Sequence, residues 1–318
     1  MWIMNGPSSQ SPSPVAAPSF AEALAAGPVV LDGGLSNQLE SAGHDLSDSL
    51  WSARLLAEEP EAVVLAHLAY YEAGAQVAIT SSYQATFEGF ARRGIGTEDA
   101  AALMGRSVGL AREAAARAQA GGVAGPLYVA ASAGPYGAML ADGSEYRGRY
   151  GLTVDELERF HRPRLEVLAA ARPDVLALET VPDADEAVAL LRAVRGLGVP
   201  AYLSYSVAGD RTRAGQPLEE AFAPAADADE VIAVGVNCCA PEDVDRAVEI
   251  AARVTGKPAV VYPNSGEIWD AEARAWRGSP AFSGDRVAAW VAAGARLIGG
   301  CCRVGPEAIA ELAAALER

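Results

Sequence analysis

Residues 174–206 read DVLALETVPDADEAVALLRAVRGLGVPAYLSYS. The opening DVLALE and the closing PAYLSYS are apolar throughout, as strands buried on both faces of a parallel sheet should be. Between them, 183–195 reads as a helix. Pro182 stands just before its start, where a missing N–H costs little. Strand, helix and strand in this order form the repeating unit of an α/β fold.

The same alternation extends in both directions. Further β-rich runs lie at 28–32 (PVVLD), 75–80 (AQVAIT), 127–132 (LYVAAS), 231–237 (VIAVGVN), 258–263 (PAVVYP) and 296–300 (RLIGG), giving eight in all. Helical stretches are predicted at Pro60–Ala73, after a short helix near Leu50–Ala57, and at Thr97–Ala118, Thr153–Ala171, 217–227, 241–254, 284–293 and 306–317. Thr153-Val-Asp-Glu156 spells a capping box, and Pro217, Pro241 and Pro306 stand near helix starts. Eight strands alternating with eight helices predict a single-domain (β/α)8 TIM barrel. An open doubly wound sheet is disfavoured, because no G-x-G-x-x-G turn follows the first strand. The barrel domain is placed at 20–318, after a Ser- and Pro-rich stretch, 1–19 (MWIMNGPSSQSPSPVAAPS), read as a disordered leader.

The 318 residues are 51% apolar and 21% charged, enough to bury a large core without staples. With 25 basic against 41 acidic residues the net charge is −16, which argues against a nucleic acid or an anionic membrane as partner. No apolar run reaches the roughly 18–20 residues that span a bilayer. The first Lys or Arg is Arg54, so the N-terminus lacks the basic region of a signal peptide. The expected compartment is the reducing cytoplasm.

In a barrel of this kind chemistry sits at the C-terminal ends of the strands. There the sequence places Asp32-Gly33-Gly34, Thr80-Ser81-Ser82-Tyr83-Gln84, Ser132 to Tyr136, Glu179-Thr180, Tyr205-Ser206, Asn237-Cys238-Cys239, Tyr262 to Ser265 and Gly299-Gly300-Cys301-Cys302. Two of the four Asn, Asn237 and Asn264, fall at these ends, and Asn37 follows the first closely. All four Cys lie after the sixth and eighth strands, whose ends converge on one mouth. The residues alone allow an inter-loop disulfide, inert buried thiols, a closed four-Cys zinc site, or an open site of three thiolates at about 2.3 Å from one Zn²⁺. A reducing compartment argues against the disulfide, and the absence of C-x2-C knuckles argues against structural zinc. An open three-thiolate centre suits alkylation of an incoming thiol, which it binds and deprotonates at neutral pH. Adjacent Cys301 and Cys302 can share an ion only if the chain leaves extended geometry, which Gly299-Gly300 make feasible.

These strings together with LWSARLL (50–56), TSSYQAT (80–86), GPYGAMLADGSEYRG (134–148), FHRPR (160–164), ALET (177–180), GVNC (235–238), VVYPNSGEIWD (260–270) and GARLIGGCCR (294–303) resemble the zinc-dependent homocysteine S-methyltransferases, in the branch using S-methylmethionine or S-adenosylmethionine. The resemblance implies methyl transfer from a sulfonium donor to L-homocysteine, giving methionine, with Cys238, Cys301 and Cys302 holding Zn²⁺. It implies that Asp32, the Gly33 backbone and Glu179 hold the amino-acid part of homocysteine; Asn237 and Asn264, by their placement at the strand ends, are expected as further substrate contacts. Trp51 and Tyr83 match donor-site aromatics of the betaine-using branch, where a ring face suits an onium cation. No protein general base is expected. Cys239 departs from the family's usual Thr and is expected to be a spectator. His44, His67 and His161 are expected to be structural, and Glu145-Tyr146-Arg147 is read as either a lid or a solvated loop. A betaine-type enzyme, whose C-terminal extension has no counterpart in the 16 residues after Cys302, and a non-catalytic zinc or thiol sensor are the alternatives. The chain is expected to be a monomer or small homo-oligomer.

Overall fold

The computed structural model describes residues 17–46, 52–270, 275–278 and 286–317. Eight parallel strands form one sheet: β1 Val29–Val30, β2 Val77–Ile79, β3 Tyr128–Ala133, β4 Val175–Val181, β5 Ala201–Tyr205, β6 Val231–Asn237, β7 Ala259–Tyr262 and β8 Ala295–Ile298. Neighbours pair in sequence order from β2 to β8, β8 pairs with β1, and a parallel bridge between Leu31 and Val77 closes the ring. The predicted (β/α)8 barrel is therefore present, with every predicted strand in place.

Strand periodicity sorts the side chains. Val175 and Ala177 of β4, Tyr202 of β5, Ala233 of β6 and Val260 and Tyr262 of β7 belong to the interior cluster, whereas Leu176, Leu178, Val234 and Val261 pack outward under the helices. Glu179 and Asn237 fall in phase with the inward set. Helix Phe20–Ala26, not anticipated, closes the opposite end. Ser19 caps it in a capping box, Phe20 meets Tyr128 edge-on at 5.3 Å, and Leu24 is buried in the same cluster. Of the expected leader, 1–16 lies outside the described residues.

The longer helices follow the sequence closely. Thr153 caps Val154–Ala170 with Glu156 completing the capping box, and Pro241 and Pro306 each take the first helical position. Short helices at Leu35–Ser41, Phe87–Ala91 and Tyr136–Leu140 and a 3-10 turn at Ser144–Tyr146 occupy loops at the C-terminal face. No described helix is long and apolar enough to cross a membrane.

Candidate active site

The loops after β6 and β8 bring three cysteines together. The Sγ atoms of Cys238, Cys301 and Cys302 all lie within 4.8 Å of one another, the one such cluster of potential metal ligands among the described residues. Three thiolates arranged tetrahedrally at about 2.3 Å from one ion would be about 3.8 Å apart, and Cys301 and Cys302 are separated by 4.0 Å between sulfurs. The donor set therefore fits a thiophilic divalent cation. Cys238 and Cys301 stand with their Cα atoms 5.6 Å apart. At that separation the two thiols can share one ion or, under oxidation, bond to each other. Desolvation pushes the Cys302 thiol up to about 11, so without a cation beside it this group stays protonated at neutral pH.

Cys239 points elsewhere. It is fully buried in the outer apolar core, and burial pushes its thiol up to about 12. The separation of two adjacent cysteines comes from Cys238, whose φ of +48° interrupts the strand. Thr180 after Glu179 (φ +59°) and Arg303 after Cys302 (φ +66°) are left-handed as well. Such conformations persist only where surrounding contacts impose them.

Asparagines supply those contacts. Asn237 Oδ1 accepts from Thr180 N at 2.6 Å and Ser204 Oγ at 2.8 Å, while its Nδ2 donates to Thr180 Oγ1 at 2.7 Å. Asn264 Oδ1 accepts from Cys302 N at 3.1 Å, and Asn37 Oδ1 from Arg303 N at 2.7 Å. Arg303 also reaches Glu267 through two hydrogen bonds of 3.1 Å. Gly299 and Gly300 precede the turn at which the chain leaves extended geometry, as expected. Neither has a positive φ; a Cβ on Gly299 would lie 2.7 Å from the Asp32 carbonyl oxygen, and one on Gly300 2.4 Å from Val304 Cγ1. They allow close approach rather than a left-handed turn.

Two carboxyl groups lie beside this cluster. Glu179 is 6% exposed, accepts from Ser132 Oγ, and is raised by burial to about 7. Asp32 is completely buried, and burial holds its carboxyl well above the ordinary range despite hydrogen bonds from Ile79 N (2.7 Å) and Tyr262 Oη (3.0 Å). The Tyr262 hydroxyl is also 2.8 Å from Gly33 O. The Glu179 charge disfavours ionisation of Asp32 further. An incoming cation relieves that repulsion.

On the β2–β3 side stand the partly buried Tyr83 and the 38% exposed Tyr146, whose phenols are pushed up first by burial and then by the neighbouring carboxylates Glu145 and Glu179. The Arg213 guanidinium lies 5.8 Å from the centre of the Tyr146 ring. Glu145 is 4% exposed, so the stretch read as a lid or solvated loop is packed at this position. Trp51 lies outside the described residues. Sequence reasoning singles out the strand-end Asn residues but not their partners, and it gives no role to Ser132, Ser204 or Tyr262. Ser204 and Tyr262 stand in phase with the inward side chains of β5 and β7, which is the available signal.

A family model described as Homocysteine S-methyltransferase matches residues 29–316. Homocysteine S-methyltransferase 1 of Arabidopsis thaliana is 43% identical over 307 residues, covering 92% of this chain and 94% of that protein. Homocysteine S-methyltransferase of Escherichia coli (strain K12) is 46% identical over 292 residues, covering 90% and 94%. The crystal structure of the homocysteine methyltransferase MmuM from Escherichia coli in its metallated form matches with a TM-score of 0.82 at 45% identity, covering 91% of this chain and 96% of that one.

Proposed function

This chain belongs to the homocysteine S-methyltransferase family and is a methyltransferase, and from that premise we propose that it moves a methyl group from S-methylmethionine to the thiol of L-homocysteine with Zn²⁺ as its metal. One observation carries the proposal: Cys238, Cys301 and Cys302 converge to within 4.8 Å at the same barrel mouth as the buried Glu179. Three sulfur ligands select a thiophilic ion such as zinc over the oxygen-seeking cations. When bound, Zn²⁺ supplies the positive charge that keeps a substrate thiol deprotonated at neutral pH.

The chain's own residues then bind and orient. Glu179, raised to about 7 by burial and held by Ser132, ionises against the homocysteine ammonium and forms a buried pair with it. Asp32, through Tyr262, fixes the Gly33 backbone that lines the amino-acid end. Asn237 and Asn264 serve the substrate by holding Thr180 and Cys302 in place, since their amide oxygens are already engaged there. Tyr83 presents an aromatic face to the sulfonium, and Trp51 is proposed for the same role. No protein base is required. The thiol proton leaves to solvent, the homocysteine sulfur forms the new C–S bond, and the pair from the breaking C–S bond stays on the donor sulfur. Acceptor and donor thus both become neutral methionine. Positioning and charge complementarity supply the acceleration.

The test is an initial-rate comparison of S-methylmethionine, S-adenosylmethionine and betaine, each with homocysteine and reduced, zinc-loaded protein. The expected result is the highest kcat/KM with S-methylmethionine and two methionines formed per homocysteine consumed. A higher value with either other donor overturns the assignment.

A further inference from the structure

FHRPR, at 160–164, contains two of the most deeply buried ionisable groups in the molecule, and the mechanism above uses neither. It lies in helix Val154–Ala170, packed against helix Ala184–Ala193. His161, Arg164 and Glu186 are all 0–1% exposed. Arg164 Nη2 is 2.7 Å from His161 Nδ1, and His161 Nε2 is 2.9 Å from Glu186 Oε1. Arginine can only donate, so His161 Nδ1 must accept. The ring is then neutral, with its proton on Nε2, and donates to Glu186. Burial independently holds His161 well below its ordinary value.

Both ends of this relay grip one loop. Arg164 Nη2 also donates to the Gly134 carbonyl, and Glu186 Oε1 accepts from Tyr136 N at 2.6 Å. Gly134 in turn is the seat of Tyr83. Its N–H donates to Tyr83 O at 3.1 Å, and a Cβ built on it would lie 2.6 Å from Tyr83 Cε2 and 2.7 Å from Cδ2. As a stabilising device the relay is poor. Nε and Nη1 of Arg164 are buried without a hydrogen-bond partner, the guanidinium facing the Phe160 ring at 5.3 Å instead, and an apolar contact between the two helices would avoid that desolvation.

We infer that Arg164, His161 and Glu186 are positioning residues for the donor side of the site, holding the Gly134–Tyr136 loop and through Gly134 the ring of Tyr83. The inference rests on the reading of Tyr83 as a donor-facing wall. It is tested with Arg164→Lys, which keeps the charge but cannot span Gly134 and His161 as the planar guanidinium does, with Tyr83→Leu, and with the double variant. KM for S-methylmethionine, KM for homocysteine, zinc content and Tm are measured for each. Arg164→Lys is expected to raise the donor KM about tenfold, the effect of losing about 1.4 kcal/mol of donor binding. The homocysteine KM and zinc content should stay within about twofold, and Arg164→Lys should add nothing in the Tyr83→Leu background. A lowered Tm with both KM values unchanged, an equal rise in both, or full additivity overturns the inference. If Tyr83→Leu alone leaves the donor KM unchanged, the donor-wall reading falls and the inference with it. If Tyr83→Leu raises the donor KM and Arg164→Lys does not, the inference alone falls. Should Arg164→Lys fail to fold, Glu186→Gln takes its place, and the same outcomes support or overturn the inference.

Discussion

Asn237 holds Thr180 from two sides, its Oδ1 2.6 Å from the Thr180 N–H and its Nδ2 2.7 Å from Thr180 Oγ1. Thr180 is β-branched and left-handed, at φ +59°, a conformation that costs about 1–3 kcal/mol and must be imposed by its surroundings. The clamp fixes the backbone directly after Glu179. Asn237→Ala is therefore expected to raise the homocysteine KM about tenfold, the effect of losing about 1.4 kcal/mol of binding, with zinc content unchanged. Thr180→Gly, which removes the strain, should restore part of the loss in the Asn237→Ala background. An unchanged homocysteine KM in steady-state assays contradicts the clamp.

Glu179 gives the stability of the metal-free protein a pH dependence of defined sign. Burial raises its carboxyl from 4.5 to about 7. A group that binds its proton more tightly when folded stabilises fully below about 4.5, and that stabilisation is lost as pH rises through about 7. The difference corresponds to about 3 kcal/mol. Glu186, also raised to about 7, adds a second contribution in the same window. Above about pH 6.5, where the depressed His67 and His161 no longer oppose it, Tm should fall up to about pH 8, and Glu179→Gln should flatten the fall without abolishing it. Parallel Tm profiles for the two proteins contradict this account.

Gly33 supports the ligand loop by having no side chain. A Cβ there would lie 2.2 Å from the Val304 carbonyl oxygen and 2.5 Å from Tyr70 Cε1. Tyr70 Oη meanwhile lies 3.1 Å from the carbonyl oxygens of both Gly34 and Val304. Gly33→Ala must push Val304, and with it the turn carrying Cys301 and Cys302, away from β1. The expected destabilisation is about 1–3 kcal/mol, the usual cost of overpacking, together with weaker zinc binding. Chemical unfolding and zinc competition measure the two; wild-type values in both contradict the proposed contact.

The barrel is legible in the sequence because doubly buried strands such as DVLALE leave little choice of architecture, and because Thr153, Pro241 and Pro306 mark helix starts by local chemistry alone. The short helix Tyr136–Leu140 is not legible, since its conformation follows from Arg164 and Glu186 gripping Gly134 and Tyr136 from helices far along the chain. At the site, the cysteine positions are plain from spacing, and Cys239 turning away requires only one left-handed residue before it. What Asn237, Asn264 and Asn37 bind is hidden, because they fasten segments 57, 38 and 266 residues distant. The contacts that Gly299 and Gly300 permit are hidden for a related reason: close approach of Asp32 and Val304 is a tertiary fact.

The central claim is that Cys238, Cys301 and Cys302, without Cys239, hold one zinc ion. It is tested most directly by metal analysis of reduced, never-chelated protein in the wild type and the four single Cys→Ser variants. The account predicts one zinc per chain in the wild type and in Cys239→Ser, and loss of stoichiometric zinc in Cys238→Ser, Cys301→Ser and Cys302→Ser. A wild-type protein without stoichiometric zinc, or a Cys239→Ser variant that loses it, contradicts the account.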